Sequence, residues 1–147
     1  MCDYCDCRST TEIAELSAEH EVLLHLLRAL GASARSGDEP MGAIVASLRA
    51  LLPSHARREE RGILAELRLA SVPAGYVEEF EGEHVEIERL LAEVDGPAWR
   101  DASEHLVALL GDHILREESD LYPAAHQLLA DSQWDRIAGG HLAATSR

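Results

Sequence analysis

Cysteine is confined to the first seven residues of this chain, as Cys2, Cys5 and Cys7. No cysteine elsewhere can staple that segment to a core, so a disulfide framework is excluded. Aromatic residues are only 4% of the 147 residues, and Ala, Leu and Glu dominate, which favours an all-α protein. No apolar run approaches the roughly 20 residues that span a bilayer. The opening MCDYCDCR has no apolar core of a secretion signal. No membrane partner is therefore expected, and a cytoplasmic location is. Basic residues are scarce: 13 Lys and Arg stand against 27 Asp and Glu, a formal net charge of −14. That balance argues against nucleic acid and anionic membrane surfaces as partners, although most of the acids should simply be solvated. The length suits one domain with a core of its own.

What is present is a set of four helix-patterned stripes, each broken by polar residues. Ser9 to Glu12 reads as a capping box, followed by Ile13, Leu16, His20, Leu23, Leu27 and Leu30, with Gly31 as a stop and a connection from about Ala32 to Pro40. The second stripe carries Met41, Val45, Leu48, Leu52, His55, Glu59, Gly62, Ile63 and Leu67, with a bend expected at Pro53. The third carries Val77, Phe80, His84, Glu88 and Leu91 after Pro73-Ala74-Gly75. The fourth carries Ala102, Leu106, Leu109, His113, Glu117 and Leu121, with Pro123 disturbing or ending it. A short amphipathic segment from Asp131 to about Ala144, bearing Trp134, Ile137 and Leu142, is expected to pack across one end. The short connections predict an up-down-up-down antiparallel four-helix bundle over residues 9–147, with a cysteine-containing tail at 1–8.

Residues at i and i+4 project from the same helix face one turn apart. His55 and Glu59, His84 and Glu88, and His113 and Glu117 are such pairs, and His20 stands in the remaining stripe. At about 1.5 Å per residue, all four histidines fall within one or two turns of a common level. A lone histidine on an apolar face is more often a satisfied core residue than a ligand. Four at one level, with three carboxylates in the same stripes, are another matter. An unpaired buried charge costs several kcal/mol, and three would rival a folding stability on the order of 5–15 kcal/mol. The pattern points to a metal centre held by His20, His55, Glu59, His84, Glu88, His113 and Glu117. Mixed imidazole and carboxylate donors suit a dinuclear iron or manganese site. The other histidines, His25, His105, His126 and His141, fall off the stripes and read as surface or boundary residues. Ferritin-like di-iron bundles use Glu-x-x-His on two helices; Glu81 to His84 is one match and there is no second, which disfavours that family.

The local strings Glu19-His20, His55-Ala-Arg-Arg-Glu59-Glu60, Glu83-His84 and His113-Ile-Leu-Arg-Glu117-Glu118, leading to Leu121-Tyr122-Pro123, resemble those of hemerythrin-like proteins, the HHE cation-binding domain. The resemblance covers about residues 10–135. It implies a non-haem centre of two iron ions joined by carboxylates and an oxo or hydroxo group, iron being preferred to manganese. Glu59 and Glu117 would bridge and the histidines would be terminal. Oxygen-carrying hemerythrins have a second histidine on the third helix, where Glu88 stands here. They also take an Asp five residues after the last histidine, at the position of Glu118. The spacing of Glu117 resembles that of iron-sensing and iron-centre-repair members. Three carboxylates and one hydroxide would leave two ferrous ions formally neutral, which favours a centre that reacts with dioxygen, nitric oxide or peroxide over simple oxygen carriage.

Two classes of function follow: a protein that binds or senses dioxygen, nitric oxide or iron, and an enzyme with peroxidase-like, catalase-like or nitric-oxide-reducing turnover. Cys2-x-x-Cys5-x-Cys7 is a second candidate site, for a metal or for a local disulfide between Cys2 and Cys5. As a metal site it lacks a fourth cysteine; Asp3 and Asp6 oppose thiolate character, so a lone nucleophile is not expected.

Overall fold

The computed structural model describes residues 6–40 and 42–145. Met41, Cys2 and Cys5, all named above, lie outside the described residues. After a 3-10 turn at Cys7–Ser9, the chain forms α1 (Thr11–Ser36), α2 (Gly42–Glu59), a π-helical turn π1 (Glu60–Leu64) and α3 (Ala65–Arg68). Then follow α4 (Tyr76–Glu93), α5 (Trp99–Arg116), a second π-turn π2 (Glu117–Leu121), α6 (Tyr122–Leu128) and α7 (Asp131–Thr145). Among the described residues there is no strand, and no helix is long and apolar enough to cross a membrane. The architecture is the expected all-α bundle of long antiparallel helices. α1 packs on α2 and α5, and α4 packs on α5 and α2, closing a ring.

The stripes account for the interior. Leu23, Leu27 and Leu30 meet Val45, Leu48 and Leu52, Ile87, Leu90 and Leu91, and Leu106 and Leu110 in one apolar cluster. Ile13, Leu16, Ile63, Leu67, Val77, Phe80, Leu121 and Tyr122 form a second. Every histidine of the pattern falls on its helix between members of the two clusters. α7 covers the second one with Ile137, 2% exposed, and lies against π1, while Leu142 is 70% exposed.

Several boundaries differ from the sequence reading. Thr10, not Ser9, occupies the N-cap, and its side chain makes no capping bond. Gly31 does not stop α1; it is buried, with Val107 of α5 at 3.7 Å from where a Cβ would stand. The helix runs to Gly37, whose φ of 79° supplies the left-handed stop. α2 passes through Pro53 without starting anew. Pro123 does not end the fourth stripe either. The Tyr122 N–H reaches back five residues to the Glu117 carbonyl, a wide turn that readmits the chain into α6. Leu110 takes the core place assigned to Leu109, which is half-buried.

Candidate metal centre

Between the two apolar clusters lies a layer of buried polar side chains. His20 comes from α1, His55 and Glu59 from α2, His84 from α4, His113 from α5 and Glu117 from the first residue of π2. All six are 8% exposed or less, and Glu59 and Glu117 are fully buried. Their ligand atoms fall into two overlapping groups, His20, His55, Glu59, Glu117 and Glu59, His84, His113, Glu117, each within 4.8 Å.

The two carboxylates are shared between the groups. Glu117 sets Oε2 3.1 Å from His20 Nε2, and Oε1 2.8 Å from His113 Nε2 and 3.7 Å from His84 Nε2. Glu59 sets Oε1 3.5 Å from His55 Nε2 and Oε2 3.3 Å from His84 Nε2. Every one of the four imidazoles turns Nε2 inward.

The outward Nδ1 atoms show why. Nδ1–H of His20 donates to Glu118 (2.8 Å), of His55 to Glu19 (2.7 Å), of His84 to Glu60 (2.9 Å) and of His113 to Glu83 (2.5 Å). A carboxylate only accepts, so each pair fixes the Nδ1–H tautomer and leaves Nε2 facing the centre. In each case the acid belongs to the neighbouring helix or π-turn, and the pairs run once around the bundle. Outside them, Arg58 holds Glu19, Arg116 holds Glu83 and Arg8 holds Glu118. The sequence reading quoted these acids beside the ligands but gave them no task. The signal lay in the doublets Glu19-His20, Glu59-Glu60, Glu83-His84 and Glu117-Glu118. Neighbours on a helix point about 100° apart, so one of each doublet faces the centre and the other the adjacent helix.

Tyr122 was also missed. Its ring stacks on His20 at 5.5 Å, and its hydroxyl donates to Glu59 Oε1 at 2.6 Å.

Glu88 is the correction in the opposite direction. It is exposed and belongs to neither group, because Ile87 and Leu91 take the inward positions of that part of α4. It lines the mouth of a cavity instead. His141, expected near the surface, is 5% exposed on the face of α7 turned towards Gly62. His25 and His105 are exposed, and half-buried His126 pairs with Thr10. Cys7 is 2% exposed and disulfide-bonded, where the sequence reading paired Cys2 with Cys5.

The electrostatics are those of a site built for a cation. Burial alone would push His55 down, but Glu59 and Glu19 beside it raise its pKa to about 10. Burial likewise opposes charge on His84, and Glu117 and Glu59 lift it to about 11. Burial and the neighbouring Glu59 would raise Glu117, yet His113, His20 and His84 hold it down at about 2. Two fully buried carboxylates thus force protons onto the histidines wherever no cation is at hand. Even so, Glu59 Oε2, His84 Nε2 and both Glu117 oxygens stand within ion-pair reach of their partners without a well-aligned hydrogen bond. Donors about 2.1 Å from one ion, at right angles to each other, stand about 3 Å apart. The spacing between these donors is of that size, and the residues fit a metal.

No curated protein and no solved structure matches the chain. A family model does: the hemerythrin HHE cation binding domain matches residues 11–125, a span that holds all six converging ligands and Tyr122. The chain belongs to the hemerythrin HHE cation-binding family.

Proposed function

We propose that this centre holds two iron ions and binds or reacts with a small ligand: dioxygen, nitric oxide or hydrogen peroxide. The observation that carries the reading is that Glu59 and Glu117 each give one oxygen to each of two histidine pairs. Mixed nitrogen and oxygen donors suit iron, with manganese second. Bound iron would supply a Lewis acid and one-electron redox steps. The chain's own residues do the rest. The four Nε2 atoms face inward, and the carboxylates behind Nδ1 fix their direction and raise their basicity. Burial holds Tyr122 well above the usual phenol range, so its proton stays at the hydroxyl, against Glu59 Oε1.

With Glu88 outside the groups, two carboxylates remain. The formal charge of the centre is then that of an oxygen carrier's, and the argument from neutrality against reversible carriage falls away. Experiment separates the two classes. The iron-loaded chain is mixed separately with dioxygen, nitric oxide and hydrogen peroxide, and absorbance and dissolved oxygen are followed. A binding centre gives a saturable spectral change that reverses when the gas is removed. An enzyme consumes peroxide or nitric oxide over many turnovers, with oxygen release if catalase-like. No response to any of the three sinks the reading.

A further inference from the structure

The histidine layer opens on one side into a cavity of about 240 Å³ between α2 and α4. Its floor is the four histidines with Glu117, and its wall is Leu23, Leu52, Ile87, Leu91, Leu110 and Ile114. At its mouth stand Arg57, Glu60, Glu88 and Val85, the last 69% exposed. Two ions and a bridging oxygen take about the room of three waters, roughly 90 Å³. What remains is in the class of an engineered cavity of about 150 Å³, lined by leucine, isoleucine and phenylalanine, that takes benzene. A diatomic gas or hydrogen peroxide would leave most of it empty. The apolar wall offers water no hydrogen-bonding partner, so an apolar body displaces water there favourably.

We infer that the cavity binds a neutral organic molecule of about six to eight carbons with one oxygen-bearing head, an alcohol, aldehyde or alkyl hydroperoxide. The head lies on the histidine floor and the apolar body along the leucine and isoleucine wall. Neutrality is set at the mouth, where Glu60 and Glu88 oppose an entering anion and Arg57 stands beside them. The head's partner rests on the metal reading above; the fit of the body does not.

The test titrates n-hexanol, benzyl alcohol and methanol into the full chain, metal-free and iron-loaded, while NMR follows the Leu and Ile methyl groups. At roughly fourfold for each of hexanol's extra buried methylenes, hexanol should bind on the order of a thousandfold more tightly than methanol, with saturable shifts at wall residues. Ala56 lines the cavity without being one of the converging ligands. Ala56→Phe should weaken hexanol binding at least tenfold while iron per chain is unchanged; Ala56→Leu, a gentler filling, should do so in part. Hexanol binding no tighter than methanol, or unmoved by both substitutions, overturns the inference. A chain that binds hexanol as expected but takes up no iron overturns the metal reading and leaves the pocket standing.

Discussion

Glu117 and Glu118 are adjacent, and that single step separates two tasks. Glu117 gives its oxygens to both histidine pairs, whereas Glu118 holds His20 by Nδ1 and is itself held by Arg8. Supports of this kind are worth about 10- to 100-fold in metal affinity. Glu118→Ala should therefore weaken iron binding by that order in a chelator competition, while Glu88→Gln should leave it unchanged. The metal-free chain should also carry the mark of its histidines in its pH dependence. His55 and His84 titrate at about 10 and about 11 when folded against 6.5 when free, so their stabilisation is complete below pH 6.5 and lost as pH rises through those values. Glu117, held at about 2, contributes above its free value of 4.5 and loses that contribution as pH falls towards 2. Melting temperature measured with chelator present should be highest between those limits and fall from pH 6.5 to 10. A flat profile there would contradict the assignment. Iron affinity should move the other way and rise with pH, since the ligands must shed protons. At this scale the i, i+4 pairs were legible wherever both members faced inward. His84 and Glu88 show the limit: spacing sets the face of a helix but not where along it the polar layer ends.

The helices themselves were legible because their stripes hold a 3.6-residue period, and Gly31 misled for the same local reason. Glycine at a helix end and glycine at a close approach look alike in sequence. The contact with Val107, made by tertiary packing, decides between them. The two π-turns were not legible at all. Each follows a shared carboxylate or begins with it, at the end of the same His-x-x-Arg-Glu-Glu string, His55 to Glu60 and His113 to Glu118. The wide turn widens the inward face, so that Glu117 and Glu118 are both buried, and it sets Tyr122 over His20. Deleting Ser119, exposed on π2, should take up the extra residue of the wide turn and return the segment to α-helical register with Tyr122 still near His20, so iron content should be largely kept. Inserting an alanine after Ser119 should instead turn α6 by about 100° and take Tyr122 off His20. The insertion should lower iron content and melting temperature together, with helical circular dichroism largely kept. Gly62 in π1 offers a second test. A Cβ there would stand 3.1 Å from Ile137 Cγ2 of α7. Gly62→Leu should overpack that contact and cost about 1–3 kcal/mol in urea unfolding.

Taken whole, the described residues form two apolar clusters with a polar layer between them, and that layer is costly to bury without a cation. Replacing two buried carboxylates and four imidazoles with leucines would be the ordinary way to fill such a bundle. Retaining them puts several kcal/mol at stake per unpaired ion, which a tightly bound metal returns as folding stability. Chain length, charge and helix order were enough to foresee the bundle. They could not reveal that Cys7 would be buried in the second cluster, because its burial comes from packing of the Cys7–Ser9 turn against α1 and α6. Metal content is the deciding quantity. The chain is loaded with ferrous iron without oxygen, freed of excess by gel filtration, and analysed for iron against protein. It should carry about two iron ions per chain, with His113→Ala losing most of them and His105→Ala none. One ion per chain or fewer in the unaltered protein would contradict the two-iron centre.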